Sequence, residues 1–234
     1  MDEQHRFIIT FVLVIMSFTA HAGIVIDSTR VIYSADKKEV TVNLRNTGTH
    51  PSLVQSWIDT GDPLVTPGKN TVPFVIMPPI TRIDGGKGQT LRLIYTGKPL
   101  PDDRESIFWL NVLAVPPKKS DSRNHLLNVA YQTRIKLFFR PSALNSKADD
   151  AGQKLQWKNE SGALSVFNPT PYNISLLNVE WMAAGKTVSV AGEMVSPFGQ
   201  ARLATAEIPA GVSGVDYTII DDLGREQRLS SALK

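Results

Sequence analysis

From residue 24 onward, apolar and polar positions alternate with a period of two. Val40, Val42 and Leu44 alternate with Thr41, Asn43 and Arg45, and Asn46-Thr47-Gly48 then punctuates. Leu53 to Ile58 forms another run, closed by Asp59-Thr60-Gly61-Asp62-Pro63, and Val72 to Met77 is closed by Pro78-Pro79. After the turn Asp84-Gly85-Gly86-Lys87-Gly88, Leu91, Leu93 and Tyr95 alternate, and Ile107 to Val115 is a long apolar run ending at Pro116-Pro117. Short runs about 8–12 residues apart, with turn residues between them, predict an all-β sandwich or barrel. No stretch combines sustained helical spacing with caps.

The small, polar segment Pro141 to Asp150 interrupts this rhythm and reads as a linker. Strand-like runs resume at Leu155-Gln156-Trp157, Leu164 to Phe167, Ile174 to Trp181, Val188 to Val190 and Tyr217 to Ile220. The pattern predicts two β domains, residues 23–143 and 144–234, of ordinary domain size.

The first 22 residues follow another logic. Phe7 to Phe18 is a twelve-residue uncharged apolar run, followed by Ala20-His21-Ala22, a small-x-small cleavage pattern. Twelve helical residues span about 18 Å, short of the roughly 30 Å hydrocarbon core of a bilayer. Residues 1–22 are therefore expected to be a signal peptide, although Asp2, Glu3 and a single Arg6 depart from the usual positive start. Export without stable membrane insertion after cleavage follows.

Residues 125–139 carry the most information. The odd positions are His125, Leu127, Val129, Tyr131, Thr133, Ile135, Leu137 and Phe139. Successive side chains of a strand point to opposite faces, so one face is almost wholly apolar over fifteen residues. A strand that long outruns a small domain. It is either a core strand or one whose apolar face and free edge serve another protein, since unpaired edges are templates for strand addition. Arg134, Lys136 and Arg140 lie on the opposite side. The last two fall where the strand meets the linker, at a cleft between domains of the kind that often binds ligands.

Composition excludes much else. With no cysteine there is no disulfide scaffold, thiol catalysis or cysteine-based metal site. Past residue 22 only His50 and His125 remain, too few for a histidine-rich metal site. The mature chain has 24 basic and 20 acidic residues, a dispersed excess that makes no case for nucleic acid. Asp102, Asp103 and Glu105 could mimic a glycosidase pair, but turn and ion-pair roles are commoner for such clusters. Gly85-Gly86-Lys87-Gly88 lacks the spacing of a phosphate loop, and there is no Gly-x-Ser-x-Gly. Neither an enzyme nor a cofactor is expected.

The stretch Leu100 to Pro117, LPDDRESIFWLNVLAVPP, resembles the signature of the PapD-like periplasmic pilus chaperones. So do Thr29-Arg30-Val31-Ile32-Tyr33, Gln55-Ser56-Trp57-Ile58, Arg134 to Pro141, Asn168-Pro169-Thr170-Pro171-Tyr172 and Ile220-Asp221-Asp222-Leu223-Gly224, in the family's order. The short, cysteine-free stretch between Pro117 and Leu126 is similar to the short F1–G1 loop branch.

The resemblance implies two immunoglobulin-like domains set at an angle around a cleft. It also implies a periplasmic protein that stabilises pilus subunits by donor-strand complementation and delivers them to an outer-membrane usher. His125, Leu127, Val129 and Tyr131 would be the donated side chains, Tyr131 being bulkier and more polar than the usual aliphatic insert. Arg30 and Lys136 would hold the subunit's C-terminal carboxylate, and Glu105, Arg140 and Asp222 would form an interdomain salt bridge. The competing expectation is a structural pilus subunit or surface adhesin. Such a protein would need an N-terminal donor extension, for which seven residues between the cleavage site and Arg30 leave little room.

Overall fold

The structure, a computed structural model, describes residues 23–63, 68, 71–117, 129–144, 146–160, 162–203, 208–209 and 211–234. The expected signal peptide, His125 and Leu127 lie outside the described residues, as does most of the expected short loop.

The described residues form two β-sandwich domains. The first contains β1 (Ile24–Ile26), β2 (Arg30–Ser34), β3 (Val40–Asn46), β4 (Ser52–Asp59), β5 (Phe74–Met77), β6 (Ile80–Ile83), β7 (Gly88–Tyr95), β8 (Ser106–Val115) and β9 (Tyr131–Arg140). The second contains β10 (Gln156–Glu160), β11 (Ala163–Phe167), β12 (Ile174–Ala183), β13 (Lys186–Ala191), β14 (Met194–Val195), β15 (Gln200–Leu203), β16 (Gly214–Ile220) and β17 (Glu226–Ala232).

In the first domain one sheet runs β1-β3-β7-β5 and the other β2-β9-β8-β4-β6. Alternation decides what each strand buries. On β3, Val42, Leu44 and Asn46 are buried while Thr41, Asn43 and Arg45 face water. The core between the sheets centres on aromatics. The Tyr95 and Phe139 rings lie 4.5 Å apart, and Phe74 meets Phe108 edge-on at 5.0 Å. Tyr33 is fully buried and still satisfied, its hydroxyl donating to the Lys38 carbonyl at 3.0 Å and accepting the Tyr95 N–H at 3.1 Å.

The first strand of the chain switches sheets. β1 pairs antiparallel with β3, and three residues later β2 pairs parallel with β9 in the opposite sheet. That switch determines which part of β9 has two neighbours. Arg30 is the first residue of β2 to pair, and it pairs with Lys136. Tyr131–Ile135 therefore have β8 on one side and, among the described residues, no strand on the other.

The second domain packs β10-β11-β15 against β13-β12-β16-β17, with β14 on β12. Trp157 and Tyr217, both about 1 % exposed, lie 5.0 Å apart at its centre. Asn168 pins the turn between β11 and β12, its side-chain amide donating to the Tyr172 carbonyl at 2.7 Å. The segment expected to be a plain linker is structured at its end. Ala148–Asp150 and Gly152–Lys154 form single 3₁₀ turns, Ala151 is buried, and Gly152 packs directly on Ile219. The turn inside the expected linker, Ala148–Asp150, buries no residue, and close packing begins just past it at Ala151 and Gly152.

Candidate functional site: a half-open strand ending at a cationic cleft

β9 divides into two halves. On its inward face Ile135, Leu137 and Phe139 are buried in the first core, whereas Tyr131 is 70 % exposed and Val129, just before the strand, 41 %. The same face thus begins in the core and emerges from it. The core-strand reading of the alternation therefore holds for Ile135, Leu137 and Phe139 and not for Val129 and Tyr131. Where the face emerges, a groove of about 560 Å³ opens, lined by Ile24, Val112, Ala114, Pro116, Val129 and Tyr131.

The outward face of β9 is polar. Lys136 and Arg30 are register partners on the paired strands, which puts their side chains side by side. Both reach the second domain. Lys136 Nζ donates to Ser175 Oγ at 3.0 Å, and Arg30 Nη1 donates to the Ile220 carbonyl at 2.9 Å. Among the described residues neither is in an ion pair, and Arg30 Nε is buried without a partner. Burial pushes the Lys136 ammonium below its ordinary pKa, and the adjacent Arg30 charge pushes it the same way. Burial also lowers Arg30, against the pull of Asp222 and Asp221. Two adjacent, partly desolvated cations that are in no ion pair among the described residues are a favourable place for one carboxylate.

At the end of β9, Arg140 joins three elements. Its Nε donates to Glu105 Oε1 at 2.7 Å, and its two terminal nitrogens fork onto Asp222 at 2.7 and 3.0 Å. Asp222, not Asp221, is the carboxylate that faces Arg140. Asp221 instead pairs with Arg225 and accepts the N–H groups of Leu223 and Arg225. Glu105 is 2 % exposed at its side chain and also accepts the Asn173 N–H at 2.9 Å, while its own N–H donates to the Pro171 carbonyl. Burial raises the Glu105 carboxyl, and the Arg140 charge and the Asn173 N–H pull it back. For Arg140 burial opposes the charge, but Asp222 and Glu105 outweigh it and raise its pKa. A cavity of only about 30 Å³ remains between the domains here, so the junction is nearly filled.

The turn after β16 also needs close approach. Gly224 has φ +79°, and a Cβ there would collide with Thr29 Oγ1, next to Arg30.

Sequence reasoning missed a second polar network on the same face. Asp59, assigned to a turn, is the last residue of β4 and 1 % exposed. Its Oδ1 accepts Arg134 Nη2 at 2.6 Å and the Gly61 N–H at 2.7 Å, and its Oδ2 accepts Asn111 Nδ2 at 2.6 Å. Asn111 Oδ1 in turn accepts Gln132 Nε2 at 2.9 Å, and the Arg134 guanidinium lies 4.4 Å from the Trp109 ring centre. The signal that could have found it is parity. Asp59 pairs with Trp109 and Trp109 with Lys136, so all three share one face. Among the described residues no three His, Asp or Glu side chains gather to hold a metal, and no helix is long and apolar enough to cross a membrane.

Comparison with known proteins assigns a class to this architecture. The family model for the pili and flagellar-assembly chaperone PapD N-terminal domain matches residues 23–145, and that for the pili assembly chaperone PapD C-terminal domain matches residues 150–231. The chain belongs to this family of pilus-assembly chaperones, which are not enzymes. It is 41 % identical over 95 % of both chains to the probable fimbrial chaperone YadV of Escherichia coli K12. It also superimposes on the Pseudomonas aeruginosa CupB2 chaperone with a TM-score of 0.79 at 38 % identity, covering 90 % of this chain and all of that one. The Salmonella enterica SafB chaperone, solved in complex with the SafA pilin, matches with a TM-score of 0.77 at 30 % identity, over 92 % of this chain and 98 % of that chain. Matches to the domain models of the chaperone on both sides of the junction place the chain with the chaperones rather than with pilus subunits.

Proposed function

We propose that this chain captures pilus subunits in the periplasm by donor-strand complementation and delivers them to an outer-membrane usher. The subunit would present an apolar groove where its own sandwich lacks a strand. The first half of β9 offers what such a groove needs: an edge without a neighbour and an apolar face that leaves the core at Tyr131 and Val129. Leu127 and His125 continue the same face in sequence. Burying each large apolar side chain contributes about 1.5–3 kcal/mol. Backbone pairing along the edge adds affinity with little sequence preference, which suits related subunits.

Arg30 and Lys136 receive the subunit's C-terminal carboxylate. They sit where the free edge ends, so the last subunit strand lies along residues 131–135 with its terminus at Lys136, parallel to β9. Anchoring that terminus sets the register, because a one-residue slip turns every inserted side chain to the wrong face. Glu105, Arg140 and Asp222 hold the second domain where Ser175 and Ile220 can position the two cations.

The observation that carries this reading is the half-open strand ending at two adjacent cations that are in no ion pair among the described residues. Lys136→Glu tests it. The variant should fold with an unchanged circular dichroism spectrum and fail to co-purify a co-expressed pilus subunit. Normal co-purification overturns the carboxylate assignment.

A further inference from the structure

A third cation shares the outward face of β9 with the carboxylate site. Arg134 precedes Lys136 by two residues, about 7 Å along the strand, and alternation puts both side chains on the same side. The Arg134 side chain is 20 % exposed, and its Nε is buried without a partner, so its donors are not saturated. It lies beside the free edge along which the subunit's last strand is placed. Uncompensated, it would be a second receptor for a carboxylate.

That matters because of parity. A slip of one residue inverts every side chain and is rejected by packing. A slip of two residues preserves the inward and outward faces, so the apolar groove discriminates against it only weakly. Something other than the pleat has to distinguish Lys136 from Arg134.

The difference between the two cations is Asp59. Its buried carboxylate accepts Arg134 Nη2 at 2.6 Å and is itself held by Gly61 N–H and Asn111 Nδ2, both within 2.7 Å. Asp59 therefore cannot swing away to release the guanidinium without leaving its own hydrogen bonds unmade. Trp109 lies under Arg134 and further fixes it. Lys136, in contrast, contacts the neutral Ser175 hydroxyl, and Arg30 a neutral carbonyl. Of Arg134, Lys136 and Arg30, only Arg134 is in an ion pair among the described residues.

We propose that Asp59 is a positioning residue for subunit register: by neutralising Arg134 it excludes the two-residue-shifted docking that the strand's alternation would otherwise permit. The proposal rests on the carboxylate reading given above. Asp59 touches no subunit atom and acts through Arg134.

The test uses the full-length chaperone co-expressed with a pilus subunit, in which a cysteine is placed near the subunit's C-terminus. Single cysteines at exposed Gln132 and Thr133 report register by disulfide trapping and mass spectrometry. In wild type, one register with the terminus at Lys136 is expected. Asp59→Asn keeps the side chain's shape but removes its charge, and it should raise the shifted-to-native ratio about tenfold or more, the effect of a charged hydrogen bond lost. Asp59→Asn/Arg134→Gln removes the competing cation as well and should restore the single register. A structural role for Asp59 alone predicts a lower melting temperature with the register unchanged, and that result overturns the proposal.

If Asp59→Asn does not fold, Gln132→Lys decides. It puts a cation without an acidic partner at an exposed position on the same outward face, and a shifted register should then be trapped at the Thr133 cysteine. A single register with the terminus at Lys136 in that variant contradicts the proposal. If wild type itself traps the subunit with its terminus away from Lys136, the carboxylate reading fails rather than the role of Asp59.

Discussion

Arg140 forks onto Asp222 across the domain junction, with both terminal nitrogens bound at 2.7 and 3.0 Å, while its Nε holds buried Glu105 in its own domain. The two contacts differ in burial, so they should differ in consequence. Arg140→Met leaves Glu105 charged, buried and unpaired, and should lower the unfolding free energy of the first domain by about 3–5 kcal/mol. Asp222→Asn removes a partly exposed partner and should cost about 1 kcal/mol or less. Its effect belongs in the angle between domains. Chemical denaturation separates the two costs, and small-angle scattering of Asp222→Asn should show a broadened distribution of interdomain distances.

The two halves of β9 should respond oppositely to substitution. Tyr131→Ser and Val129→Ser alter exposed side chains, so stability should change by no more than about 0.5 kcal/mol while subunit capture falls sharply. Leu137→Ala, on the same face but fully buried, should lose about 2–5 kcal/mol. Thermal melts and pull-down of a co-expressed subunit measure both quantities on the same variants. A large loss of stability from Tyr131→Ser, with capture retained, contradicts the division of the strand.

Both the alternation of residues 125–139 and the family signature were visible in the sequence, and so was the residue trio at the junction. The division of β9 was not. It depends on where β1 gives way to β2 on a different strand of the chain, so only the three-dimensional pairing shows which part of the edge stays free. Asp59 escaped for a related reason. Next to Thr60-Gly61-Asp62-Pro63 it has the company of a turn residue, and its partners Asn111 and Arg134 are 52 and 75 positions away. The 3₁₀ turns at 148–154 were hidden because exposed Asp149, Asp150, Gln153 and Lys154 give them the polar composition of a linker, and only Ala151 and Gly152 between them are buried.

Lys136 gives a pH dependence with a definite sign. Burial and Arg30 hold its native pKa below the ordinary lysine value. Between those two values the unfolded chain binds more protons than the native one, so stability should rise with pH across that alkaline window. Lys136→Met should remove that increment. In the same window the free chaperone loses the cation, so binding of a peptide ending in a carboxylate should weaken at lower pH than an ordinary lysine would allow. Calorimetry in buffers of different ionisation enthalpy should then show proton uptake on binding, because the carboxylate restores the charge.

Gly224→Ala tests the close approach beside Arg30. Alanine at φ +79° costs about 1 kcal/mol or more, and its Cβ meets the Thr29 hydroxyl. The second domain should remain folded, with the turn displaced and Arg30 less well held at the Ile220 carbonyl. Capture should drop more than the melting temperature of either domain. A variant with wild-type capture shows that this contact does not position Arg30.

Amide hydrogen exchange over residues 131–135, in the free chaperone and in its complex with a pilus subunit, addresses strand lending itself. Alternate amides of that stretch point to an edge that no described strand covers, the others facing β8, and lending that edge should strongly slow exchange of the edge-facing ones once a subunit is bound, with little change at the already paired residues 137–139. Equal exchange in the two states, with protection appearing on another face instead, would contradict it.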